Sequence, residues 1–245
     1  MFPKVNNFIK IIPLVIVFLI MMLSALPAFS IEEIEVNNSI QKYFIGNRCE
    51  TLEDKSGYLN VYSIISDNYN DRFTPVKTEI PNFGFTKSVY WVRFSLYNNS
   101  STEILKFLEL GFPLLDRIEL YIFSFKNNKP VLIQNNITGR DFPFLKRTVE
   151  HRNFIFPFKM RPGEKFTFYL KIRTNDGMIF PLTVWSRDSF NSLARKEYFL
   201  FGIYYGIILV MILYNLFLFI FTMDRNYFLY IIYISCFALF QISMN

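Results

Sequence analysis

The chain has a single histidine, His151, and only two cysteines, Cys49 and Cys236. A lone histidine with no nucleophile motif around it leaves little for general-base or nucleophilic catalysis to work with. Two cysteines cannot form a zinc cage or a disulfide framework. The nine glycines include no glycine-rich phosphate loop. Glu53 and Asp54 are adjacent carboxylates, which in a strand point to opposite faces, so a turn role suits them better than paired acid–base work. His151, beside Glu150 and Arg152, is expected as a solvated residue at a strand edge. Neither enzymatic activity nor a cofactor is expected. Basic residues outnumber acidic ones, 26 to 20, but without a basic block, which argues against a nucleic-acid partner.

Charge is missing altogether from Tyr198 to Phe221. At 1.5 Å per helical residue this run exceeds the roughly 30 Å hydrocarbon core of a bilayer. Backbone amides in lipid must be satisfied within the segment, so a transmembrane helix is expected over 198–221. A short polar, cytoplasmic turn over 222–226 leads to a second apolar run over 227–245, giving a helical hairpin. Gly202 and Gly206 have the spacing that lets helix backbones approach closely, and Asn215 is a polar amide in the span interior. These three predict a helix that packs against others.

The amino terminus supplies another apolar stretch. Lys4 and Lys10 flank a positive region, Ile11 to Leu23 is apolar, and Ala28 and Ser30 have signal-peptidase spacing. Residues 1–30 therefore read as a signal peptide, and 31–197 as one exported domain of ordinary size. For a bacterial protein this predicts the cytoplasmic (inner) membrane, with the domain in the periplasm or outside. Cys49 and Cys236 would then lie in different compartments.

Alternation dominates the exported part. Val92, Phe94 and Leu96 oppose Trp91, Arg93, Ser95 and Tyr97; Ile118, Leu120 and Ile122 alternate with Glu119, Tyr121 and Phe123. Phe154, Phe156 and Phe158 share one face of 152–160. In 165–173 Phe166, Phe168, Leu170 and Ile172 oppose Lys165, Thr167, Tyr169, Lys171 and Arg173. Pro162 and Gly163 sit at the central positions of a tight turn between these two strands. A last strand is expected over 180–185, and one or two helical turns over 61–65. Short alternating strands with regular turns, and no interleaved long helices, read as an all-β antiparallel sandwich or jelly roll.

Binding is the function such a domain can offer. Trp91 and Arg93 share a face, and a ring beside a guanidinium suits a sugar or an anion. The competing expectation is that Trp91 is covered while Arg93 pairs with a carboxylate such as Asp116. Arg140 and Arg147 lie on a long polar connection, where functional residues concentrate. The candidate ligand residues are thus Trp91, Arg93, Asp116, Arg140 and Arg147.

The order of parts resembles one family. Leu52 to Asp54, Tyr90 to Phe94, Leu115 and Asp116 with Ile118 to Tyr121, Pro162 to Glu164, and the span followed by Asp224 and Arg225 are similar to the bacterial seven-transmembrane receptors with diverse intracellular signalling modules. The exported part resembles their second type of extracellular domain. The resemblance implies a jelly-roll sensor for carbohydrate-like or other small ligands, reporting through seven helices to a cytoplasmic output. Only two helices are present, so the chain is expected to be a truncated receptor lacking its output module. Expected partners are the membrane, a small-molecule or carbohydrate ligand, and other transmembrane helices or a second copy. The alternative is a membrane-anchored carbohydrate-binding or envelope scaffold without a signalling role.

Overall fold

The computed structural model describes residues 33–126 and 129–244. The signal-peptide expectation over 1–30 lies outside the described residues. Among the described residues, thirteen strands, β1 (Glu33–Val36), β2 (Lys42–Phe44), β3 (Glu50–Asp54), β4 (Thr74–Pro75), β5 (Asn82–Phe85), β6 (Val89–Asn98), β7 (Ile104–Leu110), β8 (Arg117–Lys126), β9 (Lys129–Thr138), β10 (Phe154–Met160), β11 (Lys165–Arg173), β12 (Gly177–Ile179) and β13 (Leu182–Ser186), are followed by two long helices.

One sheet runs β4, β3, β6, β11, β8, β9, with β1 on β6; a second runs β10, β7, β13, β2; β5 and β12 pair separately. The sheets are antiparallel except for β1, which joins β6 in parallel. The period-two pattern explains the two-layer packing. Val92, Phe94 and Leu96 of β6, Phe166, Phe168 and Leu170 of β11, and Ile118, Leu120 and Ile122 of β8 meet Phe154, Phe156, Phe158, Leu108, Leu110, Leu182 and Val184 of the second sheet in one core. Phe168 stacks on Phe94 of its own sheet with ring centres 4.8 Å apart. It also takes Phe158 of the facing sheet edge-on at 5.0 Å. The turn joining β10 to β11 has Gly163 at φ 72°, and Glu164 N–H donates to the Arg161 carbonyl, as the order of Pro162 and Gly163 requires.

The segment between β3 and β4 forms a cap on the outer face of the larger sheet. It contains two single-turn helices, α1 (Val61–Ile64) and α2 (Asp67–Asn70). Asn60 caps α1 by accepting from Ser63 N–H. Val61, Ile64 and Phe73 bury themselves on Leu52, Val89, Trp91, Phe123 and Tyr169. Asp54 starts the cap: its carboxylate accepts from the backbone of Ser56, Gly57 and Leu59 and from the Ser56 hydroxyl. Burial works against its ionised form, but these donors outweigh burial and hold its pKa below the usual carboxylate value.

The helix α3 (Arg187–Thr222) begins where β13 ends, because Ser186 is both the last strand residue and the helix N-cap, accepting from Ser189 N–H at 3.3 Å. The apolar run 198–221 lies inside it, preceded by three polar turns of the same helix. Met223, in the left-handed conformation at φ 54°, ends α3, and its N–H donates to the Phe219 carbonyl. Asp224 then caps α4 (Arg225–Met244) through Asn226 N–H. Only two residues separate the helices, and Phe219 lies against Phe228 with ring centres 5.3 Å apart. Asn215 is buried; it donates to the Met211 carbonyl of its own helix, so its amide is partly satisfied without any outside partner. Among the described residues, nothing lies within 4 Å of a Cβ built on Gly202 or Gly206.

Candidate functional site on the outer face of the larger sheet

Register sets the neighbours on this face. One row reads Leu52, Trp91, Lys171, Glu119, Ile137 from β3 to β9, and the next reads Glu50, Arg93, Tyr169, Tyr121, Asn135. The cap covers the β3 and β6 end of both rows and leaves the β8 and β9 end open.

Two expectations about ligand contact are corrected at the covered end. Trp91 is 0% exposed and Arg93 2% exposed, so neither faces solvent. The reason is the cap: its aliphatic and aromatic side chains gain more by burial on Trp91 than by exposure. Arg93 does pair with a carboxylate, but with Glu50 rather than Asp116. Its Nε donates to Glu50 Oε2 at 2.6 Å, it also donates to the side chain and carbonyl of Asn70, and its guanidinium lies 4.1 Å from the Phe73 ring centre. The indole Nε1 of Trp91 has no hydrogen-bond partner among the described residues.

At the open end Tyr121 stacks on Trp91, with ring centres 6.4 Å apart. The Tyr121 hydroxyl donates to Glu119 Oε2 at 2.7 Å, and Arg117 Nε donates to Glu119 Oε1 at 2.8 Å. Burial raises the Tyr121 pKa, and the Glu119 hydrogen bond raises it further. Burial also opposes the Glu119 charge, yet the donors Tyr121 and Arg117 and the charges of Arg117 and Lys171 bring its pKa below the ordinary value. Lys171 Nζ sits 5.4 Å from the Trp91 ring centre and donates to the Leu59 carbonyl of the cap. Tyr62 on the cap, 67% exposed, and Ile137 on β9 border this patch. It therefore combines flat aromatic surface, an anchored carboxylate and two cations.

The other expected ligand residues stand elsewhere, each held by neighbouring groups. Asp116 is buried: Oδ1 accepts from Arg140 Nε and Nη2, and Oδ2 accepts from the backbone and side-chain amides of Asn175. Arg140 also meets Asp176 at 2.8 Å. Arg147 Nη1 donates to the carbonyls of His151 and Arg152, and its guanidinium lies over Phe144 and Phe154. The structure thus separates the five residues into three places. Glu119, Tyr121 and Lys171 were visible in the sequence as polar partners of alternating apolar residues. Only strand register brings them beside Trp91.

A second arrangement connects the domain to the membrane helices. Glu109 on the outer face of the smaller sheet accepts from Trp185 Nε1 and from Asn153 Nδ2, each at 2.6 Å. Phe190 of α3 stacks on Phe107 at 5.2 Å and packs with Ile155 and Trp185. His151 is not a solvated edge residue as expected but buried, edge-on to Phe190 at 5.3 Å, with Nδ1 accepting from Asn153 N–H. Arg152 bridges to Glu197 of α3 at 3.3 Å.

A β-sandwich joined without a linker to two helices long and apolar enough to cross a membrane is the architecture of an extracellular domain on a membrane protein. The chain belongs to the 7TMR-DISM family: it matches 7TMR-DISM extracellular 2 over residues 46–186 and 7TM diverse intracellular signalling over residues 197–245. Domains of these two kinds imply an extracellular sensor of a membrane signalling receptor. No curated protein matches the chain. Among solved structures it is similar to carbohydrate-binding modules of the β-sandwich superfamily, at 12% identity over 43% of this chain and 49% of that one, with a TM-score of 0.21. It is also similar to a GH31 α-xylosidase from Xanthomonas citri, at 11% identity over 57% of this chain and 15% of that one, with a TM-score of 0.25. The chain therefore spans about half or less of each of these structures, and at such scores neither bears on what it binds.

Proposed function

We propose that the open patch around Tyr121 and Glu119 binds a small polyhydroxylated ligand of the carbohydrate class, and that occupancy is passed to the transmembrane helices. The observation that carries this reading is the partly exposed Tyr121 ring, backed by the buried Trp91, beside a carboxylate held by Arg117. Aromatic faces take the apolar face of a sugar ring, while a fixed carboxylate and nearby cations take its hydroxyls. The ligand face and the helix lie on opposite outer faces of the sandwich. The relay would run through the shared core and along β13, whose last residue caps α3. In this reading the domain is in the periplasm or outside a bacterial cell, the helices cross the cytoplasmic membrane, and the free Gly202 and Gly206 face accepts further helices or a second copy.

The test is calorimetric titration of the detergent-solubilised chain with a panel of neutral and acidic mono- and oligosaccharides. Saturable binding by at least one sugar is expected, weakened about tenfold or more by Tyr121→Ala, a loss of about 1.4 kcal/mol, and also weakened by Glu119→Gln. Binding that survives both substitutions unchanged, or none across the panel, would overturn the assignment.

A further inference from the structure

The 144–146 turn is a short 3-10 helix, Phe144–Lys146, started by Pro143. It presents two apolar side chains outward: Phe144 is 50% exposed and Leu145 is 85% exposed. Two exposed apolar side chains are common on a protein surface; it is the place of this pair in the fold that points to a partner. Lys146 is exposed beside it, with Nζ 5.1 Å from the Phe142 ring centre. The turn is rigidly held from behind, since Arg147 clamps the carbonyls of His151 and Arg152 and carries the Phe144 ring on its guanidinium.

Its position supplies the partner. Phe144 shares the wall of one cavity of about 330 Å³ with Tyr198, Phe201 and Tyr205 of α3 and Ile242 of α4, and Arg152 and Glu197 line it as well. Tyr198 is the first residue of the uncharged run, so Phe144 stands beside the turns with which α3 enters the lipid. Tyrosines at this height mark the membrane interface.

We propose that Phe144 and Leu145 insert into the outer leaflet of the bilayer beside α3, with Lys146 at the level of the lipid phosphates. Burying two apolar side chains in the interface and placing a cation at the phosphates is the chemistry of a membrane-surface anchor. The surface is continuous with the transmembrane helices and gives the sensor domain a second foothold on the membrane, apart from its covalent link. This holds whether or not the patch around Tyr121 binds sugar.

The full chain, carrying Cys236→Ser and Leu145→Cys labelled with an environment-sensitive fluorophore, is reconstituted in phosphatidylethanolamine and phosphatidylglycerol nanodiscs. Cys49 does not compete, because it is buried and burial pushes its thiol up to about 12. Leu145 is exposed, so its substitution leaves the fold intact; Phe144→Cys serves as a second label position. Insertion predicts blue-shifted emission, quenching by lipids bearing a nitroxide high on the acyl chain, and protection from aqueous iodide. Quenching by iodide with no response to the lipid nitroxide would overturn the proposal. Protection from both quenchers would overturn it too, because it would mean that protein rather than lipid covers the turn.

Discussion

Glu50 Oε2 accepts from Arg93 Nε at 2.6 Å, with the two side chains 11% and 3% exposed. A charge this deep is tolerated because its hydrogen bonds are filled from two sides, by Glu50 of β3 and by Asn70 of the cap. Glu50→Ala would leave the guanidinium buried with no countercharge. The expected loss is about 3–5 kcal/mol, as for other broken buried pairs. Denaturant unfolding of the solubilised chain, followed by tryptophan fluorescence, measures it, and an unchanged midpoint would mean that solvent reaches Arg93 after all.

His151 sets a pH dependence at the joint with α3. Burial against Phe190 is the main cause and lowers its pKa below the usual histidine value; Glu109 and Glu197 act the other way, while Arg152 adds to the lowering. Protons are then bound more readily by the unfolded state. The stabilising contribution of neutral His151 is present above the ordinary histidine pKa of about 6.5 and is lost as pH falls through the lowered folded value. A protonated Nδ1 can no longer accept from Asn153 N–H. Trp185, bonded to the same Glu109, reports the change. The tryptophan fluorescence of the chain should shift on acidification below about 6.5, and His151→Gln should flatten the part of that shift that comes from Trp185.

Gly139 has φ 138°, and a Cβ there would overlap the Asp116 carbonyl. The close approach lets Arg140 N–H donate to the Leu115 carbonyl and Asp141 N–H to the Asp116 carbonyl, which puts the Arg140 side chain on the Asp116 carboxylate. Gly139→Ala should cost at least about 1–3 kcal/mol, the cost of holding a substituted residue in that backbone region. Thermal unfolding would show it. Arg140→Ala, whose side chain is half exposed, should cost less, because the Asn175 amides still bind Asp116.

Two membrane-length helices, the strand faces of β6, β8 and β11 and the turn at Gly163 were legible in residue order, because charge depletion and period-two alternation are local properties that hold whatever the partner is. β9 was not: Asn135 and Asn136 are poor strand formers, and they are held there by pairing with Tyr121 and Leu120 of β8. The cap was legible only in part: a helical turn over 61–65 was expected and α1 stands there, but α2 and the docking of both turns were not, because four-residue helices carry little pattern and take their stability from burial on Trp91, Phe123 and Tyr169. That burial turned the residue pair most suggestive of a ligand site into core. Sequence by itself determined which side chains could share a face. Only tertiary structure decided which of them meet and which stay open to a ligand, because register and coverage depend on contacts between residues far apart in the chain, such as Trp91 with Tyr121 and His151 with Phe190.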